Sequence, residues 1–296
     1  MISLKDRVAL ITGAGGGLGR SHALYLAGLG AKIVVNDPGG GVAGSGGNRA
    51  PADETVALVR QAGGEAVADY SGVETMEGAS RMTAAALEAF GRLDIVVNNA
   101  GILRDASFKK QTDDDWRRVL DVHLTGSRNV VKAAWDHLCG RKYGRIVMTS
   151  SASGLYGNFG QTNYGAAKLG AIGFLNSLKE EGERYGIKVN AVAPMARSRM
   201  TESILPAELL GKLDPRFVSP VVAYLASEDC AVNGQCWAVG GGYVARVAIV
   251  EAKGLRLPAD ESFDAETVAA NLETITDLGK ARPLANLMDA SAKILR

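Results

Sequence analysis

The chain has 296 residues, 47% of them hydrophobic and 22% charged, with a formal net charge of +1. That length suits one large domain or two small ones, and the apolar share excludes a chain too polar to bury a core. A charge so close to zero gives no field for nucleic acid or an anionic membrane, so an anionic ligand must be held by local groups.

The opening residues 1–6 are polar and carry no signal-peptide pattern. No apolar run reaches the ~18 residues that a membrane span needs. The three cysteines, Cys139, Cys230 and Cys236, are an odd number without metal-ligand spacing, and read as reduced thiols. The expectation is a cytoplasmic protein without a metal.

Residues 7–12 (RVALIT) form a short apolar run that suits a buried parallel strand. The glycine-rich turn Gly13-Ala14-Gly15-Gly16-Gly17-Leu18-Gly19 follows, and helix-forming residues run from Arg20 to Leu29. Strand, bare backbone and helix N-terminus together make a phosphate cradle. Residues 32–36 (KIVVN) read as a second strand, and Asp37 stands at its end. A carboxylate there can accept from both adenosine ribose hydroxyls and would repel a 2′-phosphate, which favours NAD over NADP. The plainer reading of Asp37 is a turn-forming Asp-Pro.

A long glycine-rich loop covers residues 38–50, then a helix is expected over 51–62 and a third strand over 65–69. An amphipathic helix over 75–90 leads to a fourth strand, 93–97, which runs into Asn98-Asn99-Ala100-Gly101. A long helical pattern over 113–139 contains His123. The fifth strand, 144–150, delivers Ser151 at its end, and the helix over 162–184 carries Tyr164 and Lys168. A sixth strand spans 187–192, a loop with short helices 195–212, a helix 215–226 and a last strand 235–239. This alternation predicts an α/β fold, a Rossmann-type doubly wound parallel sheet of about seven strands. Ligands of such sheets sit beyond the carboxyl ends of the strands, where the glycine turn, Asp37 and Asn98–Gly101 converge. Residues 243–296 are richer in charge, with a helical pattern at 264–273 and little that reads as strand. They are expected to be a helical extension of a domain covering 1–242, packed on it or on a neighbouring subunit.

Tyr164 and Lys168 lie four residues apart, one helical turn, so both side chains share a face. A fixed ammonium beside a phenol favours the phenolate and lowers its pKa, which would let the tyrosine exchange protons near neutral pH.

The motifs Thr12-Gly-x-x-x-Gly17-x-Gly19, Asn98-Asn-Ala-Gly101, Ser151 and Tyr164-x-x-x-Lys168, in this order over about residues 5–242, resemble the short-chain dehydrogenase/reductase family. A closer resemblance is carried by residues 35–40 (VNDPGG), 98–105 (NNAGILRD), Val122-His-Leu, 143–159 and Ser198-Arg-Met-Thr201. These are similar to the (3R)-hydroxyacyl-CoA dehydrogenase parts of the type 2 peroxisomal multifunctional enzymes, also called type 4 17β-hydroxysteroid dehydrogenases. The resemblance implies that Gly13, Gly17 and Gly19 hold the pyrophosphate, Asp37 the ribose, and that Leu18, Val73 and Asn99 also contact the cofactor. It implies Tyr164 as the acid-base group, Lys168 as the residue that tunes it and binds the nicotinamide ribose, and Ser151 as the partner of the substrate oxygen. His123 stands where the wider family has an asparagine whose carbonyl supports a proton-relay water, and its imidazole is a further candidate. Ser71 replaces an adenine-contacting acid, with Asp69 nearby, and Pro194-Met195 replaces Pro-Gly.

The implied reaction is NAD-dependent oxidation of a (3R)-3-hydroxyacyl-CoA. A steroid alcohol and a non-catalytic NAD(H) sensor remain as alternatives. A homodimer or homotetramer through the helices around 113–139 and 162–185 is expected, with no nucleic-acid or membrane partner.

Overall fold

The computed structural model describes residues 1–196, 207–257 and 263–294. Ser198-Arg-Met-Thr201, on which part of the resemblance rests, lies outside the described residues. The chain divides into two compact units, 1–246 and 247–296.

In the first unit β1 (Val8–Thr12), β2 (Lys32–Asn36), β3 (Ala66–Asp69), β4 (Ile95–Asn98), β5 (Gly144–Thr149), β6 (Ile187–Pro194) and β7 (Cys236–Gly240) form a parallel sheet in the order β3-β2-β1-β4-β5-β6-β7. The apolar strands are continuous because both sheet faces are covered. Alternate residues of β1 show it: Ala9 and Ile11 belong to one core with Ala23 and Leu26 of α1 (Gly17–Gly28) and Val56 of α2 (Ala50–Gln61). Val8 and Leu10 belong to a second, with Met82 of α3 (Met76–Phe90). The strand order reverses between β1 and β4, and a crevice opens beyond their carboxyl ends.

The helix expected over 113–139 is interrupted. α4 (Asp113–Leu120) starts from a capping box, in which Thr112 and Asp115 satisfy each other's backbone amides. It runs into a π turn, Asp121–Thr125, where Gly126 N donates to Asp121 O, five residues back. α5 (Gly126–Arg141) resumes the regular helix. His123 sits inside the π turn, buried. Beyond it come α6 (Ala152–Tyr156), α7 (Thr162–Gly182), α8 (Ala207–Lys212) and α9 (Ser219–Ala226). α9 is preceded by a separate turn of 3₁₀ helix, Pro215–Phe217.

The sheet has an eighth strand, β8 (Tyr243–Val247), beside β7, so the expectation of about seven strands is one short. Gly241 and Gly242 join the two, both with positive φ (+56° and +83°), as a two-residue hairpin turn requires. A connection this short makes the pair antiparallel. β8 was unreadable as a strand because much of it is exposed, including Tyr243 and Val244, and no apolar-in, polar-out alternation marks it.

The second unit also contains strand where little was expected. β9 (Val250–Glu251) pairs antiparallel with β10 (Arg282–Pro283). Its helices are α10 (Ala265–Ala270), α11 (Leu272–Thr276) and α12 (Leu287–Ile294), and Asp264 caps α10 by accepting from Thr267 N. No helix among the described residues is long and apolar enough to cross a membrane.

Candidate active site

Beyond the ends of β1, β2, β4 and β5 lies a cavity of about 550 Å³. Its lining includes all eleven sequence-predicted site residues, from Gly13 to Lys168.

The cofactor wall is built from backbone held by three polar side chains. Buried Thr12 accepts from Asn99 N and Ala100 N, both at 3.0 Å, and so ties the end of β1 to the segment leaving β4. Asn99 Nδ2 donates back to Thr12 O and Gly13 O at 2.9 and 3.1 Å. Its amide therefore braces the turn from behind as well as lining the cavity. Asp37 accepts from Gly15 N at 2.8 Å and Gly39 N at 2.7 Å. Two oxygens carry about four lone-pair sites, so acceptor capacity is left for ribose hydroxyls.

The wall suits a dinucleotide sterically. A Cβ on Gly19 would lie 2.2 Å from Gly13 O and 2.6 Å from Asn99 Nδ2, so only glycine permits this close packing of turn on helix. A Cβ on Gly16 would meet nothing within 4 Å, which leaves bare backbone open for a pyrophosphate at the start of α1. Val73 is buried in the lining. Where an adenine-contacting acid was missing, Asp69 supplies a carboxylate, but it accepts from Asn36, Ser71 N and Ser71 Oγ. Arg81 in turn donates to Ser71 Oγ.

The opposite wall carries the titratable groups. Ser151 caps α6, accepting from Ser153 N at 3.2 Å, and its hydroxyl lies near enough to the Tyr164 phenol to favour the phenolate. Lys168 is buried one turn along α7, donates to Thr149 O at 2.7 Å, and places Nζ 5.5 Å from the Tyr164 ring centroid. Desolvation dominates both. It pushes the phenol above its usual 10, opposed by the Ser151 hydroxyl and reinforced by the charge of Asp105. It pulls Lys168 from 10.5 down to about 7. The sequence leads one to expect an ammonium that lowers the phenol; in the cavity burial is the largest influence, and it raises the phenol.

The His123 ring meets Tyr164 edge-on, with centroids 5.0 Å apart. Nε2 lies 3.0 Å from Ile102 N and 2.8 Å from Ile102 O, so one tautomer accepts from the amide and the other donates to the carbonyl. Nδ1 is buried without a partner among the described residues. Burial, then the charge of Lys168, lowers this imidazole well below 6.5, which favours its neutral form. The backbone carbonyl of His123 accepts from Ser127 Oγ at 2.7 Å.

Two groups escaped the sequence reading. Buried Asn163 accepts from Tyr164 N at 2.7 Å and donates to Arg104 O and Asp115 O, which fixes the start of α7 against α4. Its only signal was an amide side chain beside the tyrosine. Gln161 donates to Asp105 at 2.7 Å and accepts from Asn158, adding a polar chain to the lining near the phenol. Pro194 and Met195 border the cavity, and a Cβ on Gly240 would lie 2.1 Å from Met195 O.

The chain is similar to known proteins over most of its length. The short chain dehydrogenase family profile matches residues 7–208. A protein of Mycobacterium tuberculosis described as a short-chain type dehydrogenase/reductase is 52% identical, over 95% of this chain and 98% of its own. The peroxisomal multifunctional enzyme type 2 of Mus musculus is 46% identical over 98% of this chain, which spans 39% of that enzyme. A hydroxyacyl-CoA dehydrogenase of M. tuberculosis is 40% identical over 83% of this chain. The full-length peroxisomal multifunctional enzyme type 2 of Drosophila melanogaster superposes with a TM-score of 0.84 at 40% identity, covering 99% of this chain and 49% of that one.

These relatives overturn the cytoplasmic expectation, because the multifunctional enzymes among them are peroxisomal. That expectation rested on three unpaired thiols and a polar start, features that do not tell one reducing compartment from another. Family match, fold and site geometry agree: this chain belongs to the short chain dehydrogenases, and is an NAD-dependent oxidoreductase related to hydroxyacyl-CoA dehydrogenases.

Proposed function

We propose that the chain oxidises the secondary alcohol of a (3R)-3-hydroxyacyl-CoA to the 3-ketoacyl-CoA. The observation that carries the chemistry is the convergence of Ser151, Tyr164 and, one helical turn on, buried Lys168 on the cavity that the glycine turn also lines. The acyl-CoA assignment is supported by the hydroxyacyl-CoA dehydrogenase relative and by the resemblance of residues 98–105 and 143–159.

Ser151 would orient the substrate hydroxyl and Tyr164 would take its proton. Lys168 changes charge near pH 7 and would accept a proton that the buried phenol must lose first. Gly13, Gly17, Leu18, Gly19, Asp37, Val73 and Asn99 would hold NAD, which when bound supplies the hydride acceptor and, oxidised, a positive charge. His123 would act by holding Ile102 and the Tyr164 ring rather than by moving a proton. In this reading residues 1–242 carry the catalysis and 243–296 extend them. A homodimer or homotetramer would use the apolar surface of Trp116 on α4 and Leu169 on α7.

The test is NADH formation from NAD with (3R)- and (3S)-hydroxyacyl-CoAs of several lengths, alongside estradiol and a steroid-side-chain CoA. Turnover of the R acyl-CoAs, lost in Tyr164→Phe, is the expected result. Turnover of the steroids alone would overturn the substrate assignment, and NADH binding without any turnover would overturn the enzymatic reading of this alcohol class.

A further inference from the structure

The glycine-rich loop after β2 is unusually long and is not free. It starts at Asp37, at the end of β2, and reaches the segment that leaves β4, although β1 lies between those strands in the sheet. Three successive carbonyls are caught at its far point. Leu103 N donates to Val42 O at 2.9 Å, Arg104 Nε to Ala43 O at 3.1 Å, and Arg118 Nη2 to Gly44 O at 3.1 Å. The donors come from two separate places, the segment after β4 and α4. The loop is also closed on itself, with Gly41 N bonded to Ser45 O and Asn48 N to Pro38 O.

To pass from the end of β2 to that of β4, the loop must cross the end of β1, where the glycine turn lies. The cavity is lined both by Gly16 and Leu18 of the glycine turn and by Val42 and Gly44 of the loop. The groove of an open sheet is thereby bridged.

We propose that residues 38–47 are a strap over the cofactor cradle, and that Arg104 and Arg118 are the positioning residues that latch it. A dinucleotide held beneath the strap leaves only when the latch opens, so the strap sets the exchange rate of NAD and NADH. Arg118 is the cleaner probe, because Arg104 is also bonded to Asp114 and Asp115. The inference rests on the NAD-dependent reading.

The experiment measures NADH release from the full chain, by the change in NADH fluorescence on mixing the complex with excess NAD. Arg118→Ala is expected to release NADH roughly tenfold faster, the size that one lost charged hydrogen bond supports. Arg118→Lys, which keeps a donor, should restore most of the retention, and the melting temperature of the ligand-free protein should hardly move. A second variant locks the latch. A Cβ on Gly44 would stand 3.8 Å from Ile102 Cβ, within the span of a disulfide. Gly44 has φ +78°, so a cysteine there is strained, but equally so oxidised and reduced. In Gly44→Cys/Ile102→Cys, oxidation after loading should slow NADH release by about a hundredfold or more, and reduction should reverse it. Release rates unchanged in Arg118→Ala, or equal in the oxidised and reduced double variant, would overturn the strap. A native chain that does not bind NADH at all would overturn the cofactor reading beneath it, and the strap with it.

Discussion

The two walls of the cavity are built on opposite principles. On the cofactor wall the polar side chains that shape the glycine turn are already anchored within the chain: Thr12 to two amides, Asn99 to two carbonyls, and Asp37 to two more amides, with acceptor capacity left on its carboxylate. On the catalytic wall the groups are buried and incompletely paired. Thr149 Oγ1 and His123 Nδ1 have no partner among the described residues, and burial drives the Tyr164 phenol and the Lys168 amine toward their neutral forms. One wall is finished before any ligand arrives. The other carries unmet electrostatic demand, which a bound substrate and cofactor can satisfy. Rigid preorganisation thus serves binding, and desolvation poises the acid-base pair.

The largest expected effect comes from the catalytic wall alone. Tyr164→Phe should cut turnover by about a thousandfold while NADH affinity stays close to native, since general acid-base catalysis contributes roughly that much. A matching loss of NADH binding, measured by fluorescence titration, would show that the walls are not separable.

Next is the cost of burying an amine. Lys168 has a folded pKa of about 7 against 10.5 when exposed, so the unfolded chain binds more protons between those values and stability rises with pH across them. The penalty is full below about pH 7 and gone above 10.5. Lys168→Met should therefore be more stable than the native chain at pH 6 by about a few kcal/mol, seen as a higher unfolding temperature, with the advantage fading toward pH 10. A pH-independent difference in thermal melts would sink this account.

The converse substitution strikes the finished wall. Thr12→Val leaves the amides of Asn99 and Ala100 without their acceptor, which should cost about 2–4 kcal/mol in urea unfolding and weaken NADH binding. Unchanged stability would mean that the hydroxyl does not organise the turn.

The smallest effect separates positioning from proton transfer. His123→Asn should lower turnover by less than about tenfold and leave the pH–rate profile in place, because burial already favours the neutral imidazole. A displaced limb of that profile would make the imidazole a proton carrier.

How much of this was legible depends on the range of the interaction. The strand, glycine turn and helix of residues 7–29 are written in consecutive residues, and so is Asp37 at a strand end. The Ser151–Tyr164–Lys168 set was legible as spacing, but its electrostatics were not. Spacing shows a neighbouring charge but not the burial of the phenol in the cavity, which pushes its pKa upward. The π turn hides in a pattern that stays helical on both sides. The strap was legible only as a long loop, since its latch joins Val42, Ala43 and Gly44 to residues about sixty and seventy positions away. Gly241-Gly242 was a readable hairpin signal, masked because the strand after it lacks an apolar face.

The π turn at Asp121–Thr125 has a consequence for how this chain tolerates insertion and deletion. It is a helix with one residue too many, so a single deletion within it would restore regular four-residue bonding from α4 through α5. Each residue advances a helix by about 100°, so the same deletion would turn His123 away from Ile102 and Tyr164. The helix would become more regular as the site came apart. Here the lowest-energy helix and the working enzyme are different sequences, one residue apart in length.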